Sequence, residues 1–121
     1  MPKKIIVIDD EEIVCRMTKM VLTKEGYEVE TFTHSRKALQ RIKENKFDLV
    51  ITDLKMEDVD GMDILRETNK LYPNTKVIMI TAYATLDTAI EALRGHVFDF
   101  FPKPIKIEEL KKSVKESIGT P

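Results

Sequence analysis

The stretch Leu49-Val50-Ile51-Thr52-Asp53 runs from unbroken apolar residues straight into a carboxylate. An apolar run with no polar residue inside it suits a strand buried on both faces, as in parallel sheets covered by helices. Beyond Asp53 the chain turns acidic and loop-like, with Glu57, Asp58 and Asp60 ahead of Gly61. Asp53 therefore stands where a buried strand opens to water. Alone, such an aspartate reads as the start of a turn. The other strand ends decide whether it does more.

The same pattern recurs. Residues 5–8 are wholly apolar and end at Asp9-Asp10, residues 76–80 end at Thr81, and residues 97–101 lead into Pro102-Lys103-Pro104. Residues 27–32 alternate instead, which predicts an edge strand half exposed to water. Helical spacing fills the intervals. Residues 11–25 are expected to turn Ile13, Met17, Met20 and Val21 inward and to stop at Gly26. Residues 35–43 face inward through Ala38, Leu39 and Ile42. Residues 62–71 do so through Met62 and Leu65, with Tyr72 beside them, before Pro73-Asn74 breaks the helix. Residues 86–93, capped by Thr85, are expected to bury Ile90 and Leu93 and to end at Gly95. A last helix rests on Ile107, Leu110, Val114 and Ile118. Five strands alternating with five helices through short connections predict an α/β fold, a doubly wound five-stranded parallel sheet.

Composition bounds the reading. At 121 residues the chain is long enough for one domain with a real core. A net charge of -1 leaves no basic stripe for direct nucleic-acid binding. The single cysteine, Cys15, excludes an internal disulfide and fits a reducing, cytoplasmic setting. Within a helix it reads as a small packing residue. The apolar run after Lys3-Lys4 is too short for a signal peptide, and no stretch approaches a membrane span.

In an open parallel sheet, ligands bind outside the carboxyl ends of the strands, where strand order reverses. Asp9, Asp10, Asp53, Thr81 and Lys103 all fall at such ends. Each has a plainer reading: a helix cap for the acid pair, an ordinary strand-end threonine, a solvated lysine. Their coincidence on one rim carries the functional reading. Two unit charges roughly 4 Å apart at an effective dielectric of about 20 repel by ~4 kcal/mol. A carboxylate must take up a proton, or a cation must enter. Carboxylates without His or Cys select a hard ion, with Mg²⁺ the natural one beside a phosphate. Such an ion would draw in a phosphoryl oxygen and leave Asp53 free to attack. Lys103 adds positive charge, and the Thr81 hydroxyl can donate a hydrogen bond.

At this point the residues match a family. Ile-Val-Ile-Asp-Asp at 6–10, Asp-Leu-Lys-Met at 53–56, Val-Asp-Gly at 59–61, Ile-Thr-Ala at 80–82 and Asp-Phe-Phe-Pro-Lys-Pro at 99–104 stand in order at matching strand ends. Across nearly its whole length the chain resembles the receiver domain of bacterial two-component response regulators, and within them those attached to enhancer-binding ATPases. The resemblance implies a flavodoxin-like (βα)5 fold with strand order 2-1-3-4-5. It implies that Asp53 is phosphorylated from a histidine kinase. Asp10 would ligate Mg²⁺ directly, Asp9 would act through metal-bound water, and Lys55 would offer its backbone carbonyl. Lys103 and Thr81 would contact the phosphoryl group, and Thr81 with Phe100 would form the switch. The positions of Lys55 and Tyr83 are those that tune the phosphoryl lifetime. A cis bond is implied before Pro104. The partners implied are the kinase and an output domain or protein at the face of the fourth helix, fifth strand and last helix, with a phosphorylation-dependent dimer as a further form. Residues 1–121 would be one receiver, with Gly119-Thr120-Pro121 either a true end or the start of a linker in a longer regulator. The chain departs from the pattern at Glu57, where proline is usual, at His96-Val97 in place of Gly-Ala, and at Lys106, where an acidic cap is common.

Two other readings compete. A Mg²⁺-dependent phosphatase forming an aspartyl-phosphate would show Asp-x-Asp after the first strand and a covering cap; here the acids are adjacent and the chain is short. A binding module without the chemistry would lack Asp53, Lys103 or the acid pair.

Overall fold

The computed structural model describes residues 2–121. Five strands and five helices alternate: β1 Lys4–Ile8, α1 Glu12–Lys24, β2 Glu28–Phe32, α2 Ser35–Glu44, β3 Leu49–Thr52, α3 Gly61–Leu71, β4 Lys76–Thr81, α4 Leu86–Arg94, β5 Asp99–Pro102 and α5 Ile107–Ile118. The strands form one parallel sheet in the order β2-β1-β3-β4-β5, as expected. β2 lies on the edge, in keeping with its alternating sequence.

Because side chains alternate across a strand, each apolar run feeds both faces at once. Ile6, Ile8, Val50, Val77 and Met79 meet α2 and α3 on one side. Ile5, Val7, Leu49, Ile51, Ile78 and Ile80 meet α1 and α5 on the other.

Three helix faces differ from the sequence expectation. In α1, Ile13, Met17 and Met20 are exposed, while Cys15, Thr18 and Leu22 are buried; of the four expected inward residues only Val21 packs partly against the core. The inward stripe is short because α1 lies close beneath the end of β1, where the Cys15 thiol reaches the Asp9 carbonyl at 3.3 Å. Cys15 is thus a packing residue, and burial pushes its thiol pKa up, which keeps it unreactive. In α4, Leu93 is exposed and Ile90 lies at the surface; Ala92 alone is buried. In α5, Leu110 and Val114 are buried, but Ile107 is exposed.

β5 begins at Asp99, two residues later than expected. The chain first makes a turn in which His96 takes φ +65°, a left-handed conformation uncommon outside glycine. Gly95 just before it packs against Leu65. A Cβ at 95 would lie 2.7 Å from Leu65 Cδ2, so the glycine serves the close approach of α4 to α3. Lys106 leaves α5 without a side-chain cap, as its sequence implies.

Candidate phosphoryl-transfer site

The rim is set by register. Ile8 pairs with Thr52, and Thr81 with Pro102, so the carboxyl ends of β1 and β3 lie side by side, as do those of β4 and β5. Backbone bonds carry the ladder one residue further: Asp53 N–H donates to the Ile8 carbonyl at 3.0 Å and Lys103 N–H to the Thr81 carbonyl at 2.9 Å. Asp9, Asp53 and Lys103 are therefore held by strand geometry rather than by loops. Gly61 closes the loop after β3. Its N–H donates to the Leu54 carbonyl at 2.7 Å, and a Cβ there would sit 2.2 Å from the Asp53 carbonyl.

Lys103 crosses the rim to the acids. Its Nζ lies 2.7 Å from Asp9 Oδ2, 2.9 Å from Asp53 Oδ2 and 3.1 Å from Glu11 Oε1. Asp9 and Asp53 are buried, at 3% and 5% exposure, whereas Asp10 is exposed. The remaining oxygens of the buried pair are also engaged. Asp9 Oδ1 accepts from Glu11 N–H at 2.9 Å, and Asp53 Oδ1 accepts from Leu54 N–H at 2.7 Å.

One ammonium serves three carboxylates, and the two ends of the arrangement feel this differently. Burial opposes the Lys103 charge, yet the bonds to Asp9, Asp53 and Glu11 together hold its pKa well above the ordinary lysine range. At Asp9 burial dominates. It pushes the carboxyl pKa above 3.8, and the shared ammonium with the Glu11 N–H pulls it only partly back. Asp9, Asp10 and Asp53 each offer an oxygen within 4.8 Å of the others. This donor set is all carboxylate, and Asp10 makes no side-chain hydrogen bond or ion pair among the described residues, so its oxygens are open. The set fits a hard, oxygen-seeking cation such as Mg²⁺. Beside it lies a cleft of about 730 Å³, walled by Asp10, Glu11, Ser35, Arg36, Glu57 and Asp58 among others.

The other residues singled out from sequence lie around this centre. Thr81 is fully buried, and its hydroxyl accepts from the Tyr83 N–H at 3.0 Å. Phe100 is half-buried, paired with Met79 in register and packed against the α2–α3 side of the core. Lys55 and Tyr83 are exposed, Tyr83 at 57%. Among the described residues neither side chain bonds to Asp53 or Lys103. The Lys103–Pro104 peptide bond is cis, as the resemblance implies.

Three participants escaped sequence reading. Glu11 was masked by its place in a run of four acids, Asp9 to Glu12. Ser35 passed as a helix start. Arg36 carried no motif signal; its partner, Asp58, lies 22 positions away.

A family model described as the response regulator receiver domain matches residues 5–115. The transcriptional regulatory protein ZraR of Klebsiella oxytoca is 33% identical over 115 residues, which cover 95% of this chain and 26% of the relative. The chain thus spans about a quarter of the length of that curated relative. A response regulator receiver domain protein from Clostridium thermocellum superposes with a TM-score of 0.89 at 39% identity, covering 96% of this chain and 94% of that one. The beryllofluoride-activated NtrC4 receiver domain dimer superposes with a TM-score of 0.89 at 30% identity, covering 95% of each chain. The chain belongs to the receiver domain family of response regulators, the phosphoacceptor signalling domains of two-component systems.

Proposed function

We propose that Asp53 is the phosphoacceptor and that a histidine kinase supplies the phosphoryl group. The observation that carries this reading is the Lys103 ammonium held between the buried carboxylates of Asp53 and Asp9, at 2.9 and 2.7 Å, on the strand-end rim. A carboxylate oxygen of Asp53 forms the new bond to phosphorus while the bond from phosphorus to the donor's imidazole nitrogen breaks, leaving neutral imidazole after proton uptake from water. Lys103 moves its hydrogen bond from Asp53 to a phosphoryl oxygen. The Thr81 hydroxyl, which accepts from the Tyr83 N–H, keeps its own proton to donate to another. Asp10 and Asp53, with Asp9 through water and the Lys55 backbone carbonyl, would hold Mg²⁺. When bound, the ion supplies charge neutralisation for the transferring group.

The role is regulatory; the chemistry is confined to the chain's own phosphorylation and dephosphorylation. Adjacent acids at the end of β1, in place of Asp-x-Asp, disfavour a phosphatase acting on other substrates. Tyr83 is proposed to shield the aspartyl-phosphate from water, and Lys55 to brace it. Output is proposed through the face of α4, β5 and α5, toward a further domain, a partner or a second phosphorylated copy. The exposed Leu86, Leu93 and Phe98 on that face support the reading. No described helix is long and apolar enough to cross a membrane, and the net charge of -1 disfavours direct nucleic-acid binding. A cytoplasmic setting fits a kinase-fed regulator.

The test is intact mass after exposure to acetyl phosphate with Mg²⁺. Wild type is expected to gain one phosphoryl group, and Asp53→Asn none. A full adduct on Asp53→Asn overturns the assignment.

A further inference from the structure

The loop from Lys55 to Asp60 forms one wall of the cleft beside the acids. It carries Glu57 and Asp58 at its apex. Its base is closed by the Gly61–Leu54 backbone bond and by burial of Leu54 and Val59. Its apex is tied to a different element, the first turn of α2. The Ser35 hydroxyl donates to the Glu57 carbonyl at 2.8 Å and accepts from the Val59 N–H at 3.1 Å. The Arg36 guanidinium grips both oxygens of Asp58, at 2.5 and 2.8 Å. Between these ties Asp58 takes φ +73°, a left-handed conformation that a side chain adopts at some cost.

The first turn of α2 gives up local stability to make these contacts. The helix has no side-chain cap, because His34 makes none, and its first turn holds no acidic residue. Arg36 and Lys37 instead place positive charge at the positive end of the helix dipole, where it is disfavoured. Ser35 is buried at 3% exposure, and its hydroxyl is spent on the loop rather than on the helix.

We propose that Ser35 and Arg36 are positioning residues for the metal and phosphoryl site. They clamp the 57–59 backbone and so fix the Lys55–Met56 segment and the width of the cleft beside Asp10. This rests on the reading of Asp10 and Asp53 as metal-holding residues, with the Lys55 carbonyl beside them. Partners that orient the atoms around a metal commonly change affinity about tenfold or more when removed.

The test is Mg²⁺ titration of metal-free protein by calorimetry, with amide hydrogen exchange measured before metal is added. Ser35→Ala is expected to weaken Mg²⁺ binding about tenfold and to speed exchange at residues 56–59, with β1 and β3 unchanged. Arg36→Ala is expected to do the same to a smaller extent, and Ser35→Thr to restore binding. Wild-type Mg²⁺ affinity in Ser35→Ala overturns the clamp even if Tm falls, since lost packing alone lowers Tm without moving Kd. Should Ser35→Ala fail to fold, the exposed Arg36→Ala decides: unchanged affinity and unchanged loop exchange overturn the proposal. Asp10→Ala separates the clamp from the reading beneath it. Affinity kept in Asp10→Ala overturns the metal site itself; affinity lost there but kept in Ser35→Ala overturns the clamp alone.

Discussion

The half of the molecule built on β1 and β3 and the half built on β4, β5 and α4 are fastened to very different degrees. In the first, every residue of β3 and four of the five in β1 are buried, and α3 buries Gly61, Met62, Ile64, Leu65 and Thr68 behind a reciprocal cap between Asp60 and Asp63. In the second, β4 is buried, but its neighbour β5 is only half so, and α4 buries one residue, Ala92. The cap at Thr85 and Thr88 holds the start of α4; little apolar contact holds its length, with Leu86 at 76% and Leu93 at 69% exposure. Segments with few buried contacts open locally at low free energy, and moving elements are drawn from them. Asp9 and Asp53 stand on the tight half. Thr81 and Phe100 stand on β4 and β5, in the loose one. A phosphoryl group placed on a stiff platform can bias α4 only through contacts that differ between two arrangements, and Thr81 is the residue proposed to make them.

The contrast can be broken most forcefully by truncation. Leu65→Ala empties a fully buried site in the tight half and is expected to cost about 2–5 kcal/mol in denaturant unfolding. Leu93→Ala in α4 is expected to stay within about 0.5 kcal/mol of wild type. Equal losses would mean that α4 is as firmly packed as α3.

A smaller effect of opposite sign is expected at Asp9 in metal-free buffer. Its pKa is raised by burial, against the pull of Lys103. A carboxyl whose folded value lies above its unfolded one favours folding fully below the unfolded value, and loses that contribution as pH rises through the folded value. Above the folded value the ionised Asp9 therefore costs stability. Asp9→Asn should raise Tm at pH 7, since Lys103 keeps Asp53 and Glu11 as partners. The gain should fade as pH falls through the raised folded value and be gone below 3.8, where the Asp9 carboxyl is neutral folded and unfolded alike. A lower Tm at pH 7 would mean that the Lys103 pair outweighs burial.

How far the sequence carried varies with what holds each element. The apolar runs and the rim residues were legible, because a buried strand admits no polar residue and the chemistry sits where the run stops. Strand order came from the motif resemblance, not from the runs. The inward faces of α1 and α4 were not legible. Most of their large apolar residues sit on the open side, and apart from Leu22 the residues they bury are small: Cys15 and Thr18 in α1, Ala92 in α4. Periodicity weighs hydrophobic bulk, so it points to the wrong side of a helix that packs closely through small side chains. Ser35 and Glu11 were invisible for another reason: their partners are brought near only by the fold.

The smallest effect sharpens the picture of the tight half. Thr68 Oγ1 on α3 is the one buried side-chain polar atom without a partner among the described residues. Thr68→Val should stabilise by about 1 kcal/mol in urea unfolding, as an unsatisfied hydroxyl is removed at nearly constant shape. Destabilisation would mean that the hydroxyl is satisfied in solution.

The central claim is that chemistry at Asp53 is answered in α4 and β5. Amide NMR of the protein with Mg²⁺, before and after adding beryllofluoride, tests it most directly, with Asp53→Asn alongside. Wild type should shift at Thr81, along α4 and at Phe100, while the strand interiors of β1 and β3 hold still and Asp53→Asn does not respond. Shifts confined to the loop after Asp53, with none in α4 or at Phe100, would contradict the account.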